Sequence, residues 1–344
     1  MTALSQCNSV QDALRPVIDS HNWPADCFQW NVPAARYTTY RIGGPMACSA
    51  HPASLDDAIA LCQALFKHKL TWSATLGWGS NTIIASQGIR GLTLITRKMN
   101  WITPLDNHRF TVGAGVHLAK LATLACDAGL SGAEFMIGIP GTMGGAARMN
   151  AGAMRQETSG IVQAIRVFNW ETGIVELWCI EALIYAYRSS ALDPEKHTVL
   201  EATIALTPGD TTAIRAAMDA NLTFRKTHHP TEPNGGSVFK NPYPPGHANA
   251  SQTAGWMLDQ LGARGSQAGS DTTTPWAVGG ASVSPKHANF IINTGDATSL
   301  DVLQLMGRMQ DAVSQAYGVR LHPENLVLGD LTPEECAGWA QLTA

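Results

Sequence analysis

Apolar residues recur at helical spacing along much of the chain. Leu55, Ile59, Cys62 and Leu65 or Phe66 share one face of a helix that Ser54 and Asp57 open in the manner of a capping box. Leu118, Leu121 and Leu124 or Ala125 line one side of a helix over 117–128, and a further helix covers 211–226 after the turn formers Pro208-Gly209-Asp210. A short amphipathic helix is expected at 254–261 with Trp256 and Leu258 inward. Val302, Met306, Met309 and Val313 form the core-facing stripe of a long helix capped by Thr298 and Asp301. A weaker pattern over 10–18 predicts a short helix ending before Asn22-Trp23-Pro24.

β-rich runs alternate with these helices. Strands are expected at 38–46, 71–76, 92–96, 110–112, 199–206 and 288–293, and a hairpin joins 165–168 to 174–179 through Asn169-Trp170-Glu171-Thr172-Gly173. Such alternation predicts an α/β or α+β arrangement whose loops face a common ligand. A chain of 344 residues exceeds the usual single core, so two or three domains are expected.

Several strands run straight into glycine, which changes the picture from fold to chemistry. The densest stretch, Gly138 to Ala153, has five glycines in sixteen positions and five more alanines or prolines. It buries little side-chain area and costs backbone entropy, so its use lies in letting another body approach the main chain. Phosphates and planar cofactors are the bodies that oriented N–H groups suit. The interleaved Ile139, Met143, Met149 and Asn150 set it apart from a Gly/Ser linker. Thr227 to Gly236 is rich in turn formers and reads as a domain edge or active-site loop, and 266–275 as an exposed insert.

A formal net charge of −4 offers no global attraction to nucleic acid or anionic lipid, so an anionic ligand must be held by local groups. No apolar run reaches membrane-spanning length and the start lacks a basic segment followed by a hydrophobic one, so a cytoplasmic location is expected. Seven cysteines stand singly, without metal-ligand spacing. They read as free thiols in a reducing compartment, with Cys62 and Cys126 as small buried hydrophobes.

The loops carry more in order than singly. Arg41-Ile42-Gly43-Gly44, Leu76-Gly77-Trp78-Gly79-Ser80-Asn81, Val112-Gly113-Ala114-Gly115-Val116 and Gly138-Ile139-Pro140-Gly141-Thr142-Met143-Gly144-Gly145 come first. Tyr187-Arg188-Ser189-Ser190, Gly236-Ser237-Val238-Phe239-Lys240-Asn241-Pro242 and Ser284-Pro285-Lys286-His287-Ala288-Asn289-Phe290 follow. In this order, from roughly Tyr37 to Gly329, the chain resembles the UDP-N-acetylenolpyruvoylglucosamine reductase (MurB) family.

The resemblance implies an α+β fold. A non-covalent FAD module of the vanillyl-alcohol-oxidase (PCMH) type spans 37–209 in two α/β subdomains, about 37–100 and 101–209. It follows an N-terminal extension, 1–36, and precedes an α+β substrate-binding domain, 210–344. The implied reaction reduces UDP-N-acetylglucosamine enolpyruvate to UDP-N-acetylmuramate with NADPH as co-substrate, in peptidoglycan precursor synthesis. A monomer without nucleic-acid or membrane partners is expected.

By the same resemblance FAD is bound by Arg41, Gly77, Trp78, Gly79, Ser80, Asn81, Glu134, Gly138, Ile139, Pro140, Gly141, Thr142, Gly144, Gly145 and Ala151. Arg188 would hold the substrate carboxylate and its enolate, Ser237 would protonate the carbanion, and Glu324 would act protonated or paired with Arg188. Tyr187, Lys240, Asn241, Lys286 and His287 would contact the substrate.

Departures from the family pattern are local. Trp78 replaces a small residue, and Asn325-Leu326 follow Glu324 where Val-Arg is usual. His228-His229-Pro230 stands in place of Lys-Gln-Pro, which would make substrate contacts pH-sensitive, with Arg225 or Lys226 able to substitute. His117, after a Gly-x-Gly loop, is expected to start a helix rather than to carry a covalent flavin. The short spacing from Tyr187 to Ser237 fits the type II form.

Overall fold

The computed structural model describes residues 3–70, 72–243, 246–265 and 274–344. Its elements begin with α1 (Ala3–Ile18), β1 (Phe28–Pro33), β2 (Pro45–Ala50), α2 (Leu55–Lys67), β3 (Trp72–Leu76), β4 (Thr82–Ile84), β5 (Ile89–Ile95), β6 (Ile102–Pro104), β7 (Arg109–Gly113) and α3 (Leu118–Asp127). Next come β8 (Leu130–Ser131), α4 (Met143–Met149), β9 (Gly152–Ala153), β10 (Gln156–Glu157), β11 (Val162–Asn169), β12 (Ile174–Cys179), β13 (His197–Ala205), β14 (Thr207–Pro208) and α5 (Thr211–His228). Last are β15 (Asn234–Ser237), α6 (Ala254–Gln260), β16 (Ala277–Val278), β17 (Ala281–Val283), β18 (Phe290–Asn293), α7 (Ser299–Tyr317), β19 (Leu326–Leu328) and α8 (Pro333–Thr343).

Two compact units emerge, both discontinuous in sequence. The first comprises Met1–Val32, Met46–Trp78 and Arg90–Arg225; the second comprises Pro33–Pro45, Gly79–Ile89 and Lys226–Ala344. This differs from contiguous domains meeting at 209/210, because α5 stays with the first unit as far as Arg225 and two early segments join the C-terminal third.

In the first unit an antiparallel sheet runs β12-β11-β13-β7-β6. Its core joins Val112, Ile165, Phe168 and Leu200 to Leu118, Leu121, Ala125 and Cys126 of α3. A second sheet, β1-β2-β5-β3, has β3 parallel to β5. Leu92 and Leu94 of that sheet share a core with Leu14 and Val17 of α1 and Leu61 and Leu65 of α2. The Ser54 hydroxyl accepts from the Asp57 N–H at 3.1 Å and so opens α2, while Phe66 is 39% exposed, which leaves Leu65 as the inward residue.

In the second unit the antiparallel sheet is β15-β18-β17-β16. Val238, Phe239 and Ile291 pack with Met257 and Leu258 of α6 and with the α7 stripe Val302, Met306, Met309 and Val313. A complete capping box between Thr298 and Asp301 starts α7, and Gly318 in the left-handed region ends it. β19 runs parallel to β4, with Leu326, Val327 and Leu328 facing Thr82, Ile83 and Ile84.

Three expectations need correction. No strand covers 38–44: a 3-10 turn at Ala34–Tyr37 leads into a loop in which Arg41 (φ 58) and Gly43 (φ 119) leave the extended region, and β2 starts only at Pro45. On α6 Met257 and Leu258 face inward and Trp256 is 40% exposed. The first helix begins at Ala3 rather than near Val10. Of the expected insert, 266–273 lies outside the described residues. Among the described residues no helix is long and apolar enough to cross a membrane.

Candidate functional site

Within the first unit the glycine loops are built on one another. A Cβ on Gly77 would sit 2.3 Å from Thr142 Oγ1, and one on Gly144 would sit 2.9 Å from the Ala114 Cβ, so only glycine lets these segments approach. The Met143 and Gly144 N–H groups donate to the carbonyls of Val116 and Ala114, each at 2.9 Å, which pins the start of α4 to the Gly113-Ala114-Gly115 turn. Gly145, by contrast, is exposed, and its Cβ would find only Thr142 Oγ1 at 3.8 Å. Ile139, Pro140 and Gly141 connect this surface to Gly138, and Ala151 lies half-buried beyond α4.

Glu134 braces the segment before Gly138. Its carboxylate oxygens accept from the Ser131 hydroxyl at 2.6 Å and the Gly132 N–H at 2.8 Å, and its carbonyl accepts from Asn221 Nδ2 at 3.1 Å. One turn after Asn221 on α5, Arg225 lies half-buried with its Cδ 3.4 Å from where a Gly138 Cβ would be. Burial pushes the Arg225 guanidinium down to about 10. No acidic side chain pairs with it among the described residues. A desolvated cation without a counter-charge is costly, and a dianionic pyrophosphate would supply one, so the residues present fit FAD. Sequence spacing held a signal for Arg225: residues 221 and 225 share a helix face.

Trp78 is 40% exposed. The Arg97 guanidinium lies 4.6 Å from its ring centroid while Arg97 Nε donates to the Gly77 carbonyl at 3.0 Å. His117 meets the indole edge-on at 5.4 Å and caps α3, its Nδ1 accepting from the Ala119 N–H at 3.2 Å.

Arg188 belongs to the same unit and is backbone-strained, with φ 52. Its Nη2 donates to the Gly152 carbonyl at 2.9 Å and Nη1 to the Asn150 carbonyl at 3.4 Å, with Glu157 Oε1 at 3.9 Å. The guanidinium stands 5.1 Å from the Tyr187 ring centroid.

The second unit holds Ser237 and Glu324 on neighbouring extended segments. The Glu324 N–H donates to the Val238 carbonyl at 2.8 Å and the Lys240 N–H to the His322 carbonyl at 2.9 Å, with Phe239 bridged to Pro323. Asn81, last residue of the Gly79-Ser80-Asn81 turn, donates through Nδ2 to the Glu324 carbonyl at 3.0 Å. Asn325 is the hub. Buried at 1% exposure, it directs Nδ2 at Asn81 Oδ1 (2.8 Å), the Gly235 carbonyl (2.8 Å) and the Ser237 carbonyl (3.3 Å), and accepts from the Tyr40 hydroxyl at 3.4 Å. Burial raises the Tyr40 phenol and keeps it a donor. The departure at Asn325 thus has a structural reason: it ties Ser237, Glu324 and the Asn81 turn together, which no local sequence signal announced. The loop bearing Arg41 joins this unit through Thr39, whose hydroxyl donates to the Asn234 carbonyl at 2.6 Å.

The remaining expected substrate residues are also in the second unit. Asn241 Oδ1 accepts from the Ala254 N–H at 3.2 Å at the start of α6, and Lys286 Nζ donates to the Lys226 carbonyl at 3.4 Å. His287 Nδ1 accepts from the Asn289 N–H at 3.1 Å, while burial and then nearby Arg264 push its pKa to about 4, so near neutral pH it is uncharged with its proton on Nε2. Among the described residues no group of three His, Cys, Asp or Glu could hold a metal ion.

Comparison with known proteins places both parts of the chain in described families. Residues 46–177 match the family described as FAD binding domain, and residues 228–328 match the one described as UDP-N-acetylenolpyruvoylglucosamine reductase, C-terminal domain. A UDP-N-acetylenolpyruvoylglucosamine reductase of Synechococcus sp. (strain WH7803) is 38% identical over 316 residues, covering 90% of this chain and 96% of the relative. That of Bacillus pumilus is 35% identical, covering 87% and 93%. The crystal structure of the UDP-N-acetylenolpyruvylglucosamine reductase from Thermus caldophilus superposes with a TM-score of 0.68 at 30% identity, over 86% of this chain and 97% of that one. With relatives this similar over nearly their whole length, the chain belongs to the UDP-N-acetylenolpyruvoylglucosamine reductase family and is an FAD-dependent oxidoreductase.

Proposed function

We infer that the chain reduces UDP-N-acetylglucosamine enolpyruvate to UDP-N-acetylmuramate with NADPH, in peptidoglycan precursor synthesis, and acts as a cytoplasmic monomer. Bound FAD supplies the chemistry of taking a hydride from NADPH and passing one to the substrate. Arg41, the Gly77 to Asn81 turn and the Gly138 to Gly145 stretch would hold it, with Arg225 as the counter-charge beside Gly138.

The substrate's double bond is conjugated to a carboxylate. A hydride added at its terminal carbon drives the electron pair onto the adjacent carbon and that carboxylate, and a proton must then be delivered to the adjacent carbon. Arg188, permanently charged and anchored by two carbonyls, binds the carboxylate and stabilises the growing charge. Ser237 delivers the proton. Glu324 assists as a protonated acid, or as the partner of Arg188, since a lone carboxylate would oppose the enolate. Lys240, Asn241, Tyr187, Lys286 and a neutral His287 are proposed to contact the nucleotide sugar. The observation that carries this reading is the pairing of Ser237 and Glu324 on adjacent segments, both tied by Asn325 and Asn81 to the turn assigned to the cofactor.

The test is a half-reaction assay. Purified holoenzyme should oxidise NADPH continuously only when the enolpyruvyl nucleotide sugar is present. Ser237→Ala should leave flavin reduction by NADPH near the wild-type rate and slow flavin reoxidation by substrate by about 10²–10⁴-fold, the usual worth of a positioned acid. Equal losses in both half-reactions would contradict the role given to Ser237.

A further inference from the structure

The hairpin of β9 and β10 enters the chemistry above only through the Gly152 carbonyl that anchors Arg188, and it is held under strain. Its turn is Met154-Arg155, at φ 51 and φ 65, where a two-residue hairpin turn of this kind favours Asn-Gly. A Cβ on Gly152 would lie 2.4 Å from the Gln156 carbonyl oxygen, so the hairpin closes only with glycine there. Closing it sets Glu157 opposite Gly152, the residue whose carbonyl receives Arg188.

Glu157 then holds both sides of the Arg188 anchor. Its Oε2 accepts from Asn150 Nδ2 at 2.8 Å and its Oε1 lies 3.9 Å from Arg188 Nη1. Asn150 is itself buried and fully engaged: Nδ2 also donates to the Ala186 carbonyl at 3.1 Å, and Oδ1 accepts from the Ser159 N–H at 2.9 Å. Ten described non-glycine residues have positive φ, and five of them, Asn150, Met154, Arg155, Ile184 and Arg188, lie on these two adjoining segments. Strain gathered in one place persists only where the surroundings over-determine it, and it marks a position that matters for function.

We propose that Glu157, acting through Asn150, is a positioning residue that fixes the direction of the Arg188 guanidinium toward the substrate carboxylate. A carboxylate at 3.9 Å steers the fork without the short bidentate pairing that would occupy it. The inference rests on the role given to Arg188 above.

Glu157→Ala, Glu157→Gln and Arg188→Ala holoenzymes separate the outcomes. Glu157→Ala should slow flavin reoxidation by substrate about 100-fold, the order expected when a binding group is misplaced by an ångström, with flavin reduction by NADPH and FAD affinity within about twofold of wild type. Glu157→Gln keeps an oxygen for Asn150 and should recover to within about fivefold of wild type. The proposal is overturned if Glu157→Ala reoxidises normally, if Gln is no better than Ala, or if FAD affinity or NADPH reduction falls in parallel, as a purely structural role would require. Normal reoxidation in Arg188→Ala would remove the role of Arg188 and this inference with it. Impairment of Arg188→Ala but not of Glu157→Ala would remove this inference alone.

Discussion

His51 is buried in the first unit with its Nε2 2.9 Å from Ser49 Oγ. Burial, aided by Lys98 and opposed by Asp26, pushes its pKa from 6.5 to about 4. Between those values the unfolded chain binds a proton that the folded chain does not. Stability therefore falls as pH drops through that window and levels off below about 4. The shift of 6.5 to about 4 corresponds to roughly 3 kcal/mol at most. His287 shifts in the same direction and adds to the slope. Urea midpoints at pH 7, 5.5 and 4.5 should therefore decline in the wild type and decline less in His51→Gln; parallel profiles would show that His51 titrates as it does in the unfolded chain.

At the scale of elements, α5 presents Asn221 and Arg225 to the segment of Glu134 and Gly138, and the guanidinium has no acidic partner among the described residues. Arg225→Met keeps most of the apolar stem and removes the charge. It should weaken FAD binding about tenfold, or ~1.4 kcal/mol, in titrations of apoprotein followed by flavin fluorescence; unchanged affinity would place the pyrophosphate elsewhere. Helices of this kind were legible in the sequence because their signals are local. The α7 stripe and its Thr298 box, the Ser54 cap of α2 and the β11–β12 hairpin around Gly173 all stand where spacing and turn chemistry put them. Segments fixed by distant partners were not legible. The 38–44 loop looks like a strand until Thr39 is seen donating to the Asn234 carbonyl, 195 positions away. On α6, only seven residues long, Trp256 and Met257 are one position apart, and burial rather than periodicity decides between them. For the site, the ordered glycine motifs led to the family. The chain's own patterning yielded only a main-chain surface awaiting a ligand. Asn325 stood out only as a departure from the family pattern, without its role, and Glu157 carried no signal, since the one works through a hub of carbonyls from separate segments and the other through a Met-Arg turn that lacks the usual Asn-Gly.

For the molecule as a whole, sequence order and compact units disagree. The chain leaves the first unit after Val32, returns at Met46, leaves again after Trp78 and returns at Arg90 before its final departure after Arg225. The C-terminal third is therefore incomplete by itself. Tyr40, Ile42 and Ile83, at 0%, 3% and 0% exposure, lie in its core, β4 is the partner of β19, and Asn81 is a ligand of Asn325. Burying each of the three side chains is worth about 2 kcal/mol, so a fragment without them forgoes roughly 6 kcal/mol. That is comparable with the entire net stability of a domain, about 5–15 kcal/mol. A fragment of residues 226–344, although it contains the whole segment matched to the reductase C-terminal domain, should consequently show no cooperative thermal transition by circular dichroism. The intact chain should show one. A cooperative melt of the fragment with native helix content would mean that the segments 33–45 and 79–89 are accessories to this core rather than parts of it.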